Sequence, residues 1–179
     1  MKLYVVRHGQ TNYNDLELCN SDPTVDVHLT SLGTQQIQQL AQKLKNANID
    51  HIITSELPRT KQTAAIINEY HNVPTTVDAR LNDNRTGFES KPYQQYHAAL
   101  ARAENKWTAR FNGGESFEDL KQRVGNFLEE LKNQDYDCVL IATSKIITQV
   151  MYGLTHGLSN QQTWDFKVEP GSCVEIERL

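Results

Sequence analysis

Apolar positions along this chain change their spacing several times, and each change marks an element. Leu3, Tyr4, Val5 and Val6 make an unbroken β-branched and aromatic run, too short for a helix, which predicts a strand. A polar stretch over residues 12–28 reads as a loop. Leu29-Thr30 then opens a segment in which Ile37, Leu40, Ala41 and Leu44 recur at helical spacing. Residues 49–54 read as a second strand, and Pro58 starts a helix through Ala64, Ile66 and Ile67 toward Tyr70. Pro74 precedes a short third strand over residues 75–78. Ser116-Phe117-Glu118-Asp119 resembles a capping box with Asp in the usual Glu or Gln place. Behind it, Phe117, Leu120, Val124, Phe127, Leu128 and Leu131 form one apolar helical stripe. Residues 138–143 are a continuous apolar strand, 146–154 a buried helix, and Pro170-Gly171 a turn before a last strand over 173–177.

Strands alternating with helices predict an α/β fold, a three-layer domain whose mostly parallel sheet carries helices on both faces. Residues 81–114 break that rhythm. They are polar and aromatic, and predict an insertion over the cleft with a helix across 93–106. Neither a repeat nor a linker interrupts the 179 residues, which predicts a single domain over 1–179.

Composition narrows the function classes. Hydrophobic residues at 38% and charged residues at 22% suit a globular enzyme-sized domain. A formal charge of −4 gives no basic footprint, so a nucleic-acid partner is not expected. No apolar run reaches membrane-spanning length, and Met1-Lys2-Leu3 runs straight into a strand, so no membrane partner and a cytoplasmic location are expected. Cys19, Cys138 and Cys173 are too widely spaced for a disulfide framework or a metal site. Cys138 and Cys173 read as small core residues, and Cys19 as an exposed loop residue. No cofactor and no metal are expected, and oligomeric state is unreadable.

The chemistry concentrates at strand ends. Arg7-His8-Gly9-Gln10-Thr11-Asn12-Tyr13-Asn14 follows the first strand, where α/β folds place their ligands. Arg7 offers a planar donor fork that suits phosphate. Gly9 would let the backbone approach a ligand, while Thr11 and Asn14 add neutral hydrogen-bonding groups. The combination points to a phosphate held beside a histidine nucleophile. The plainer reading is a packed histidine beside a solvated arginine. A second Arg, Arg59, sits in the first turn of a helix, against the helix dipole, which suggests an anionic partner.

Taken together these strings resemble the histidine phosphatase superfamily, the phosphoglycerate-mutase-like proteins. Arg7-His8-Gly9 with Thr11 and Asn14 resembles the family signature. Ser55-Glu56-Leu57-Pro58-Arg59-Thr60-Lys61-Gln62-Thr63 resembles the segment whose Arg is a second phosphate clamp, here Arg59. Leu81-Asn82-Asp83 resembles the segment that supplies the general acid, with Asp83 in place of the usual Glu and Glu89 as the alternative donor. Gly113-Gly114-Glu115-Ser116 matches a helix start, and the likeness runs through Trp164 to Pro170-Gly171-Ser172. The resemblance implies that His8 attacks phosphorus and becomes phosphohistidine, with Arg7, Arg59 and Asn14 stabilising the phosphoryl oxygens and no metal required.

One departure is specific. The family carries a second histidine after its fourth strand, typically Val-Ser-His-Gly, whereas this chain reads Ile141-Ala142-Thr143-Ser144-Lys145. Ser144 keeps a hydroxyl but no charge, and the Lys145 ammonium is the nearest replacement. Losing one preorganised donor costs about 10²–10³ in rate, roughly 3–4 kcal/mol. Three readings stay open: a slowed phosphomonoester hydrolase acting on a small phosphorylated metabolite, an inactive phosphate-binding or sensing protein, and an engineered inactive variant of a phosphatase. A mutase is less favoured because the chain lacks long inserts. Specificity would lie in residues 81–114, where Phe88, Tyr93, Tyr96 and Trp107 read first as local core and second as an apolar wall.

Overall fold

Alternate side chains of the first strand serve two different cores. The computed structural model describes residues 1–179. In β1 (Lys2–Arg7), Leu3 and Val5 point to one face of the sheet while Tyr4 and Val6 point to the other, as the two-residue pleat requires. In β4 (Cys138–Thr143), Val139 and Ile141 divide from Leu140 and Ala142 in the same way. Both faces are therefore covered. α2 (Ser31–Leu44) and α3 (Pro58–Asn68) close one face with Ile37, Leu40, Ala41, Leu44, Ala64 and Ile67. α5 (Phe117–Leu131) and α6 (Lys145–Thr155) close the other, and the α5 stripe is buried as its spacing predicts.

The five strands run in the order β3-β2-β4-β1-β5, with β2 (His51–Thr54), β3 (Thr75–Val77) and β5 (Cys173–Ile176). All neighbours are parallel except β1 and β5. Register then fixes the cleft. Arg7 lies opposite Thr143, and the His8 amide donates to the Thr143 carbonyl at 2.9 Å. The residues that follow β1 and β4 are thus held side by side. No helix is long and apolar enough to cross a membrane.

Several expectations shift. The stretch read as loop contains α1 (Asn12–Leu16), closed by a capping box between Thr11 and Asn14. It buries no side chain, so it leaves no periodic signal. α4 (Tyr93–Arg102) stops short of residue 106, where Ala103 turns extended. α7 (Asn160–Asp165), capped by Ser159 and Gln162, is too short for periodicity to find. The Ser116–Asp119 capping box forms, with the Ser116 amide donating to the Asp119 carboxylate at 2.9 Å. Cys19, expected to be exposed, is buried with Tyr96 and Leu100.

Gly9 has a packing role that its sequence context does not show. A Cβ there would meet the Gly33 carbonyl oxygen at 2.3 Å, and one on Gly33 would meet the Gln10 carbonyl oxygen at 2.0 Å. Gly9 therefore serves the crossing of the His8 loop over the start of α2, and it does not line the cavity described below. Gly33→Ala should destabilise the chain by about 1–3 kcal/mol through this backbone collision. Gly125→Ala, in the middle of α5 with only Leu154 at 3.9 Å, should stabilise it by roughly 0.5–1 kcal/mol. Denaturant midpoints for the two variants should move in opposite directions. A Gly33→Ala variant as stable as the parent would contradict the crossing.

Candidate active site

Four connections after β1, β2, β3 and β4 meet around one cavity of about 360 Å³. They deliver Arg7 and His8, Arg59, Asp83 and Lys145 to its wall, with Ser144 buried just behind. Thr11 and Asn14 line it from α1.

His8 is buried and its tautomer follows from its neighbours. Nδ1 lies 2.8 Å from the Gly9 carbonyl oxygen, which can only accept, so Nδ1 carries the proton. Nε2 keeps its lone pair and accepts from Arg59 Nε at 3.3 Å. Burial, and then the Arg59 guanidinium, hold the imidazole well below its ordinary pKa. A neutral histidine with Nε2 free of a proton is a competent nucleophile.

Arg59 follows Pro58 at the start of α3 and is only 3% exposed. Besides His8, it donates to the Asn20 side-chain oxygen at 2.5 Å, to the Asn20 carbonyl at 3.0 Å, and to Asp83 Oδ2 at 3.2 Å. Arg7 is held differently. Its guanidinium donates to the Val168 carbonyl at 2.6 Å, while its buried Nε has no protein partner. Of the three cations on the wall, only Arg59 forms an ion pair with a carboxylate. Burial, reinforced by nearby Arg7, lowers the Lys145 pKa. Two cations without ion-pair partners on one wall make the cavity receptive to an anion.

Asp83 is stitched into place from several elements. Thr143 Oγ1 donates to the Leu81 carbonyl at 2.8 Å, and Asn82 bonds both the amide and the carboxylate of Glu56. Beneath this turn lies Glu115, 5% exposed, which accepts from Arg123 Nη2 at 2.7 Å and from the Arg85 amide at 3.0 Å. Arg123 also donates to the Asn82 carbonyl at 3.0 Å. The carboxyl itself accepts from Arg59, from Ser144 Oγ at 2.9 Å and from the Asn84 amide at 2.8 Å. Glu89, the alternative donor, is elsewhere. It accepts from Asn20 Nδ2 at 2.7 Å and from the Ser21 amide at 2.8 Å, and it does not line the cavity.

Asn20 and Arg123 have no sequence signal as residues around the site. The Gly-Glu-Ser helix start was the one visible hint of Glu115. Thr11 and Asn14 reach the cavity, but Thr11 Oγ1 and Asn14 Oδ1 are also engaged in capping α1. Among the aromatics, Tyr93 and Tyr96 line the cavity, Phe88 packs on the Cys19 cluster, and Trp107 packs on the main core.

The histidine phosphatase superfamily (branch 1) profile matches residues 3–178. The chain belongs to that superfamily. It is 26% identical to the adenosylcobalamin/alpha-ribazole phosphatase of Escherichia coli strain K12 over 188 residues, covering 99% of this chain and 91% of that one. The solved alpha-ribazole phosphatase of Shigella flexneri superposes with a TM-score of 0.86 at 27% identity, covering 99% and 90% of the two chains. A Salmonella choleraesuis protein named "Probable phosphoglycerate mutase GpmB" is 33% identical over 133 residues, 69% of this chain and 60% of its own length.

The buried, Arg59-facing imidazole has a measurable consequence. At pH 6 an ordinary histidine is about three-quarters protonated. His8 should remain neutral there, with its nitrogen-15 spectrum showing a protonated Nδ1 and a bare Nε2. An imidazolium signal from His8 at pH 6 would contradict this geometry.

Proposed function

We propose that this chain is a phosphomonoesterase that hydrolyses a small phosphorylated metabolite through a phosphohistidine on His8. The observation that carries the reading is the bonding of His8: Nδ1 rests on the Gly9 carbonyl, and the buried Nε2 faces a guanidinium in the wall of a cavity bearing further cations. Family membership and the phosphatase relatives support the same class.

In the first step Nε2 attacks phosphorus as the ester P–O bond breaks. Asp83 gives a proton to the leaving oxygen, and the alcohol departs. In the second, water attacks the phosphohistidine and returns a proton to Asp83, the N–P bond breaks, and phosphate is released. Arg59 and Arg7, with the Thr11 and Asn14 groups and the Lys145 ammonium, hold the phosphoryl oxygens. These side chains supply the positive charge that a metal would otherwise bring. Residues 81–114 form the cover over the cleft, with α4 presenting Tyr93, Gln94 and His97 to the leaving group.

Ser144 brings no charge to the phosphoryl group, so turnover is slower than in a site with a cationic donor at that place, by about 10²–10³. Two alternatives, a phosphate sensor and a disabled phosphatase, predict binding without turnover.

Phosphate release from p-nitrophenyl phosphate separates these readings. The parent should show turnover, and His8→Ala should abolish it while thermal melting stays close to the parent's. Arg59→Ala should lower kcat/KM by at least about a hundredfold. Hydrolysis unchanged in His8→Ala would remove His8 from the mechanism. Phosphate binding by calorimetry without any release would favour the sensor.

A further inference from the structure

Resting on the phosphomonoesterase reading, we propose that Ser144 is a positioning residue that aims the proton of Asp83 at the leaving group, not a contact to the phosphoryl oxygens. The argument follows the lone pairs of one carboxyl group. Asp83 Oδ1 accepts from Ser144 Oγ at 2.9 Å and from the Asn84 amide at 2.8 Å. With the carboxylate ionised, two donors occupy Oδ1, and the Asn84 amide can only donate, so Oδ1 is the oxygen less open to a proton. Oδ2 accepts only from Arg59, at 3.2 Å. Oδ2 is therefore the oxygen left to carry the acidic proton once Arg59 turns to the phosphoryl group; in the structure it is ion-paired with the guanidinium that also contacts His8 Nε2.

Two further features fit this role. Ser144 is 1% exposed and precedes α6 as its N-cap residue, yet its side chain makes no cap hydrogen bond to that helix. Capping hydroxyls at Thr11, Thr30, Ser116 and Ser159 all accept from their own helices. The Ser144 hydroxyl is directed to Asp83 instead, across 61 residues of sequence. In addition, Asp is a methylene shorter than Glu, and the Thr143–Leu81 and Arg123–Asn82 bonds fix its backbone. With the main chain held, rotation of the carboxyl is the freedom left to control. Arg59 turns to an arriving phosphoryl group, and the Oδ1 bonds are then what keep the carboxyl from flipping.

The step served is ester cleavage: the His8 Nε2–P bond forms, the P–O bond breaks, and the Oδ2 proton moves to the departing oxygen. Loss of aim should matter most where that oxygen is most basic. The test compares phenyl phosphate with p-nitrophenyl phosphate, which share a shape and differ in how far the leaving oxygen needs a proton. The readout is the ratio of their kcat/KM values. Ser144→Ala should lower the phenyl to p-nitrophenyl ratio by about tenfold or more, within the range that general acid catalysis supplies. Asp83→Asn should lower it further, and the double variant should equal Asp83→Asn alone, because the hydroxyl acts only through that carboxyl. Ser144→Thr, which retains a hydroxyl, should restore the parent ratio.

Equal losses on both esters in Ser144→Ala would overturn the positioning role, since they mark contact with the phosphoryl group or damage to the fold. So would additive losses in the double variant, or a ratio that Ser144→Thr fails to restore. A parent that hydrolyses neither ester instead removes the phosphomonoesterase reading itself and, with it, any acid for Ser144 to aim.

Discussion

The site is organised by one buried cation. Arg59 has almost no contact with solvent, and a guanidinium in such a place is tolerated only when its donors are met. Nε goes to His8, and the terminal nitrogens go to Asn20 and Asp83. A single side chain thus ties the β1 loop, the loop after α1 and the turn after β3 to the start of α3. It adds to burial in suppressing protonation of His8, joins in orienting Asp83 and presents positive charge to the cavity. Pro58 and Leu57 set the first turn that aims it, and the β2–β4 pairing places that turn beside the ends of the central strands.

Asn20 shows how far this control extends. It accepts from Arg59 while donating to Glu89, so a carboxylate outside the cavity stabilises a guanidinium inside it. Glu115 and Arg123 do the same from below for the turn bearing Asp83. Both relays span residues far apart in sequence. These carboxylates therefore divide by position: Asp83 reaches the cavity, while Glu89 and Glu115 brace the backbone around it.

The layered fold was readable because burial on both faces leaves continuous apolar strands, and helical burial leaves stripes such as Phe117 to Leu131. Arg7, His8 and Arg59 were readable as polar residues near strand ends, and Asp83 through the family resemblance. Short elements were not, since α1 and α7 are held by local caps that leave no period. The packing role of Gly9 left no sign because its neighbour in space, Gly33, is 24 positions away and neither glycine advertises the crossing. Asn20 and Arg123 were invisible for a similar reason. Their roles rest on three-dimensional hydrogen bonds between residues of ordinary type, whereas Ser144 was noticed only as a lost histidine, with no sign of its bond to Asp83.

Phosphorus-31 spectroscopy of the protein, quenched in alkali during turnover of p-nitrophenyl phosphate, tests the central claim most directly. The account predicts a phosphoramidate signal that mass spectrometry maps to His8 on its Nε2 nitrogen. Nitrophenol release with no phosphorylated histidine trapped at any time, including the first turnover, would contradict it and indicate direct attack by water.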